Sequence, residues 1–175
     1  MIEGLARYLV AGWRRLFSTF RPAMKRVSHS PHEVRLLLGS MVAVSAADGS
    51  LSDSAISLIQ AVAHAALDMD VGRKNILDAF HRFREVDFVS EISPAAGTIA
   101  PGVAELALKC SVIVARADGE LSDAEFLMIY RIAAALGVPR RRTGLCIEEG
   151  RALLESFRPH PAGRPGSAGG GGPGD

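Results

Sequence analysis

An internal repeat constrains the fold of this chain more than any other feature of its sequence. Residues 36–63 and 106–133 align without a gap at a spacing of 70 residues, and 12 of the 28 aligned positions are identical. The longest identical cluster, A-D-G-x-L-S-D, is polar, although many different apolar sequences could fill a core around it. The repeat therefore predicts two related structural units and draws attention to the polar loop in each.

Both copies, and most of the chain around them, carry apolar residues at helical spacing, and no stretch alternates with a period of two. The sequence S-P-H-E at residues 30–33 is typical of a helix start, with a serine cap, a proline and then a glutamate. We predict an all-α fold, a compact bundle of about six to seven helices with two pseudo-symmetric helical hairpins. The predicted helices of this bundle cover residues 31–47, 52–67, 72–86, 101–117, 122–136 and 145–157, and residues 87–100 are predicted to form a loop with at most one short turn.

Composition divides the chain into three segments. Residues 1–29 contain a basic amphipathic helix over residues 2–26, here called the leader. Its apolar stripe consists of Ile2, Leu5, Leu9, Trp13, Leu16 and Phe20. The first 27 residues have a net charge of +5, which leaves −4 for the rest of the chain. Residues 30–157 are predicted to be the folded domain, and residues 158–175, rich in glycine and proline, a disordered tail.

The sequence also bears on the compartment. No segment reaches the roughly 20 apolar residues that a membrane-spanning helix needs, and the N-terminus lacks the features of a signal peptide. Two cysteines are too few for a disulfide framework or a cysteine zinc site. We therefore predict a cytoplasmic protein. Cys110 is interpreted as a buried apolar residue, whereas Cys146, near Arg140–Arg142, would have a lowered thiol pKa if it were exposed.

Much of the repeated loop is explained by the need to connect two helices. The glycine of each copy suits the left-handed backbone after a helix end, and the serine is a natural N-cap. Ser122 and Glu125 complete a capping box, whereas Ala55 removes that reciprocal hydrogen bond from the first copy. The leucine before each cap forms a hydrophobic-staple pattern with Ile56 or Phe126.

The first aspartate of each loop needs another explanation. Asp48 and Asp118 are predicted to lie in the last turn of a helix, where a carboxylate opposes the helix dipole at a cost of roughly 0.3–1 kcal/mol. A bound cation, a basic side chain or donors on the next helix would each compensate. One alternative is a divalent-cation site for Ca²⁺, Mg²⁺ or Mn²⁺, because such ions take carboxylate oxygens; the other is a solvated, well-capped turn, since the spacing is not that of an EF-hand. The candidate metal ligands are Asp48, Asp118, Glu120, Asp123 and Glu125.

These features together resemble the TerB family, named for bacterial tellurite resistance and related to the central domain of a membrane-anchored DnaJ-like co-chaperone. The resemblance rests on two copies of an apolar helix that ends in A-D-G and is followed by the pattern x-L-S-x-x-E, the second copy finishing in A-A-A-L-G-V, and covers about residues 33–138. It implies an all-helical bundle with pseudo-two-fold symmetry, a divalent-cation site and a role in stress resistance. By position Asp48, Asp118 and Glu125 match the family motif, whereas Ala55 departs from it.

Three functional hypotheses follow. The first is a non-enzymatic TerB-like stress-response protein, a divalent-cation-binding interaction module whose partners are proteins of a stress-response complex, with no nucleic acid among them. The second is a metal-independent scaffold that binds the inner face of the membrane, or a membrane-protein partner, through residues 2–26; packing of the leader on its own bundle is the alternative to membrane contact. An enzyme is the third, and the sequence offers no nucleophile–base constellation for it.

Overall fold

The computed structural model describes residues 30–116 and 119–157, with side chains described at all of these positions except 65–67 and 156–157. The described residues form seven α-helices and one 3-10 helix and contain no β-strand, which confirms the predicted all-α bundle. The leader, the tail over residues 158–175 and Asp118 lie outside the described residues. The helices are α1 (Pro31–Ser45), α2 (Asp53–Leu67), α3 (Arg73–Glu85), α4 (Phe88–Ile92), α5 (Pro101–Ala115), α6 (Asp123–Ala135) and α7 (Arg140–Phe157), with the 3-10 helix (Ser93–Thr98) between α4 and α5.

The two halves of the domain repeat each other in helix order at the spacing of the sequence repeat. Helices α1 and α5 each have 15 residues and begin with a proline. Helices α2 and α6 each begin after a serine, Ser52 or Ser122, whose hydroxyl accepts the backbone N–H three residues on. Among the described helices α1 and α5 form the most extensive contact, and each also packs on both α2 and α6. Reciprocal packing of this kind is what two pseudo-symmetric hairpins require.

The core lies around the α1–α5 pair, whose helices are apolar on nearly all sides, as expected for buried helices. Leu37 and Val44 of α1, and Leu108 and Val114 of α5, are at most 1% exposed. Gly39 opens a space on α1 for the ring of Phe88, because a Cβ at position 39 would lie 2.3 Å from a ring carbon. The short helix α4 is thereby anchored on α1.

Two predicted boundaries are wrong. Residues 87–100 are not a loop: Asp87 caps α4 by accepting the backbone N–H of Val89 (3.4 Å), and α4 buries Phe88 and Ile92. Helix α7 begins at Arg140 and not near residue 145, and the N–H of Thr143 donates to the carbonyl oxygen of Pro139 at 2.9 Å. A proline at the start of a helix loses no hydrogen bond, so Pro139 opens α7 as well as ending α6.

None of the helices in the described part of the chain is long and apolar enough to span a membrane.

Candidate functional site

The first acidic loop, residues 46–52, provides its own compensation for Asp48. Helix α1 ends at Ser45 with Ala46 as its C-cap, so the prediction that Asp48 lies in the last helical turn is wrong. The Oδ1 atom of Asp48 accepts hydrogen bonds from both the backbone N–H and the hydroxyl of Ser50, each at 2.9 Å. Gly49 provides the positive φ, +92°, that the turn requires. Local donors therefore satisfy Oδ1 of Asp48.

The second acidic loop, residues 116–122, contains a cation of its own. The side chain of Arg116, at the end of α5, is only 3% exposed, and its guanidinium donates to both carboxylate oxygens of Glu120 at 2.5 and 2.9 Å. A two-point contact between guanidinium and carboxylate is one of the stronger ion-pair geometries. Glu120 is thus paired with a basic side chain, whereas Asp118, the residue of this loop for which the sequence left three kinds of compensation open, lies outside the described residues.

The two candidate ligands in the first turn of α6, directly after this loop, have separate surroundings. Glu125 is buried, and its Oε2 accepts from the backbone N–H and the hydroxyl of Ser122 at 2.8 and 3.0 Å, so the predicted capping box is confirmed. Asp123 is exposed in the first turn of α6. Among the described residues no three His, Cys, Asp or Glu side chains are grouped so that they could hold a metal ion. Asp118 is outside that set, so the cation site stays a prediction.

Both cysteines are buried. Burial raises the pKa of the Cys110 thiol to about 12, and burial also raises the pKa of the Cys146 thiol. Cys146 is therefore not exposed, as it would have to be for its thiol to have a low pKa. The neighbouring Arg142 instead donates to the carboxylates of Glu105 and Glu149.

Helix α7 closes the outer face of the second half. A Cβ at Gly150 would lie 3.0 Å from the side chain of Val112 and 3.2 Å from the carbonyl oxygen of Lys109, so this glycine lets α7 lie directly on α5. Ion pairs lie at the edge of this contact between α7 and α5. They join Arg142 to Glu105 and Glu149, and Lys109 to Glu149, at N···O distances of 2.5 to 3.1 Å. These partners lower the pKa of both carboxyl groups.

The first half leaves the corresponding face open. Helix α3 has only one fully buried side chain, that of Ile76, and a cleft of about 400 Å³ lies between α1, α2 and α3. We call it the apolar cleft. Its apolar lining consists of Leu38, Val42, Ile59, Met69, Val71, Ile76, Ala79 and Phe83. A neighbouring pocket of about 320 Å³ shares Arg35 and Glu91 with it and reaches His32 in the first turn of α1.

The repeat shows how different the two faces are. Leu38 lines the apolar cleft and is partly exposed, whereas its identical counterpart 70 residues later, Leu108, is 0% exposed. Val42 and Ile59 also line the cleft, but they are as buried, at 2% and 0% exposed, as their counterparts Val112 and Ile129. Nothing in the repeated sequence predicts this cleft. The only available signal was the third helix of each half, since α7 contains two glycines and α3 contains none.

No protein-family model, no curated protein and no solved structure matches this chain, so the case for a function rests on the geometry of the site.

Proposed function

We propose that this protein is a non-enzymatic, TerB-like interaction module of the bacterial stress response that binds a protein partner in its apolar cleft, without a divalent metal ion. The observation that carries this proposal is the difference between the halves. Leu38 is partly exposed at the cleft in the first half, whereas the identical Leu108 is fully buried in the second half. We place the protein in the cytoplasm, where its partners include membrane-associated proteins.

An amphipathic helix is the partner element that the shape of the cleft favours. The cleft follows α1 from Arg35 to Val42, which is two helical turns, or about 10 Å. Grooves between helices commonly bind an amphipathic helix through apolar anchors three, four and seven residues apart. Contacts around the edge of such a groove, which contribute little energy themselves, exclude water from the anchors. Arg35, Asp70, Asp78, Arg82 and Glu91 surround the floor of this cleft.

Metal independence is supported by the hydrogen bonds and the ion pair that the described carboxylates in and beside the acidic loops already form. Asp48 accepts from Ser50, Glu120 pairs with Arg116, and Glu125 belongs to a capping box. A divalent ion would have to displace these partners, at a cost that reduces its net affinity. The loops therefore serve as helix connections in this proposal, and cation binding at Asp118 is the competing hypothesis.

Peptide binding by the domain without residues 1–27 tests the proposal. The probe is a synthetic 18-residue peptide of leucine and lysine with a single apolar stripe, and its scrambled isomer controls for composition. We expect saturable binding of the striped peptide by fluorescence anisotropy. The affinity should fall at least about tenfold, or 1.4 kcal/mol, in Ala79→Arg, which puts a charge in the cleft.

His81→Arg is the matched control, because it introduces the same side chain at an exposed position of α3 that does not line the cleft. Circular dichroism confirms that each variant is folded. Equal affinity in the two variants, or equal binding of the scrambled peptide, would show that the cleft is not the recognition site.

A further inference from the structure

We propose that the leader folds back onto its own domain and occupies the apolar cleft with the part of its apolar stripe that contains Trp13, Leu16 and Phe20. This inference rests on the proposed function, because it takes the cleft to be a helix-binding surface. It then names the first occupant of that surface, a segment of the same chain. A protein partner must displace the leader before it can bind.

The position of the leader in the chain is the first argument. The leader precedes Ser30, and α1 begins at Pro31. His32 and Arg35, in the first turns of α1, line the pocket that adjoins the cleft. The segment therefore joins the domain at one end of the open face and not on the opposite side of the bundle.

The length of the connection is sufficient. Phe20 precedes Ser30 by ten residues, which span about 15 Å as a helix and up to about 33 Å when extended. The open face runs along α1 from His32 to Val42, ten residues or about 15 Å. A stripe from Trp13 to Phe20 covers about 10 Å as a helix, so it fits within this face.

The chemistry of the two surfaces is complementary. The leader offers bulky apolar side chains, and the cleft floor is made of the apolar side chains of α1, α2 and α3. The three carboxylates of the lining already pair with basic side chains, Glu91 with Arg82, Asp78 with Lys74 and Asp70 with His64, so apolar contact and not charge carries the match. An amphipathic helix lowers its free energy by burying its apolar stripe, and the apolar cleft offers a face on which it can do so.

Covalent attachment favours this occupant over a separate molecule. A segment tethered by a short connection has an effective concentration of order millimolar at its site. A partner helix of similar affinity therefore binds the full chain more weakly than it binds a chain without the leader. An anionic membrane would strengthen partner binding by the full chain, because it attracts the basic leader away from the cleft and leaves the cleft open.

Fluorescence of the full chain provides a direct test, because Trp13 is the only tryptophan. We expect Trp13 of the wild type to emit at shorter wavelength, and to be quenched less by acrylamide, than in a peptide of residues 1–27. Ala79→Arg and Met69→Gln, two changes in the cleft lining, should shift both properties toward those of the peptide. His81→Arg should leave both unchanged. Met69 lies between α2 and α3 and is only partly buried, so its replacement keeps the test valid if Ala79→Arg unfolds the domain.

Three results would overturn the inference. They are a Trp13 as accessible as in the isolated peptide, a Trp13 shielded equally in all variants, and shielding that disappears on dilution, which would identify a second copy as the source of the leader. Peptide binding by the leaderless domain separates this failure from failure of the proposed function. If that domain binds the striped peptide while Trp13 of the full chain is accessible, the function stands and the leader is not the occupant.

Discussion

In the second half of the domain α7 lies directly on α5, whereas in the first half α3 leaves a cleft beside α1. The side chains beneath are the same: Leu38 and Leu108 occupy equivalent positions of the repeat, yet Leu38 is partly exposed at the cleft and Leu108 is 0% exposed. The difference therefore comes from the third helix of each half and not from the repeated hairpin. Two hairpins that pack on each other can conserve a core while only one of them keeps an open apolar surface.

The third helices differ in ways that account for this. Helix α7 contacts α5 at Gly150, where the absence of a side chain allows close approach. Helix α3 has no glycine, and the ring of Phe83 packs on Phe88 of α4, with ring centroids 4.8 Å apart. The polar positions of the inner helices differ as well. Glu105 forms an ion pair with Arg142 of α7, whereas Arg35, which like Glu105 directly precedes its copy of the repeat, lines the cleft.

The largest effect is expected from Gly150→Val. The new side chain would overlap Val112 and the backbone of Lys109, so α7 must move away from α5, and we expect a loss of about 2 kcal/mol in the free energy of unfolding. Gly144→Val is the matched control on the same helix, because the nearest atom to its Cβ is the Tyr130 oxygen at 3.8 Å, an ordinary contact. Urea unfolding measures both variants. Equal losses would mean that α7 does not depend on close packing at Gly150.

A smaller effect is expected from Arg142→Met, which removes the ion pairs to Glu105 and Glu149. These groups are partly exposed, so we expect a loss of about 1 kcal/mol at pH 7. The pKa of Glu105 is lowered in the folded state, mainly by its hydrogen bonds from Arg142. Its stabilising contribution is therefore complete above the ordinary carboxyl pKa of 4.5 and is lost as the pH falls through the lowered value.

The difference in stability between wild type and Arg142→Met should accordingly shrink as the pH falls from 7 to 3, when followed by thermal melting. Arg73→Met, which removes the exposed pair with Asp53 in the first half, should cost less at every pH. A difference for Arg142→Met that is independent of pH would show that the arginine contributes through packing of its alkyl chain and not through its charge.

The smallest effect, no shift at all, is expected when divalent cations are added to the full chain. Asp48 of the first loop and Glu120 of the second already have partners, so millimolar Ca²⁺, Mg²⁺ or Mn²⁺ should leave the melting temperature unchanged. A cation bound only to the native state at a hundred times its Kd would add about 2.7 kcal/mol. A rise in melting temperature that Asp118→Asn abolishes would restore the cation site and overturn metal independence.

The sequence predicted those parts of the fold that depend on local chemistry. Caps such as Ser52 and the Ser122–Glu125 box follow from short-range hydrogen bonding, and the structure contains both. The dipole argument for Asp48 failed because it required the end of α1 to be known within two or three residues, and helix ends vary by about that much. The leader, the tail and Asp118 stay predictions.

The cleft lay beyond sequence reasoning for a different reason. Leu38 and Val42 are identical to their counterparts in the second half, so nothing in the repeat distinguishes an open face from a closed one. The outcome depends on how a third helix, distant in sequence, packs over them. Such long-range packing is not encoded in the periodicity of either helix.

Native-state hydrogen exchange of the full chain tests the central claim, that the first half keeps open a face which the second half closes. Helix α3 buries only Ile76 fully, whereas α7 buries Thr143, Cys146, Ile147, Gly150 and Leu154. Segments with few buried contacts open locally at a lower free energy than the core. We predict that the amides of α3 exchange through such openings while those in the middle of α7 exchange only with global unfolding. Equal protection of α3 and α7 would contradict the account.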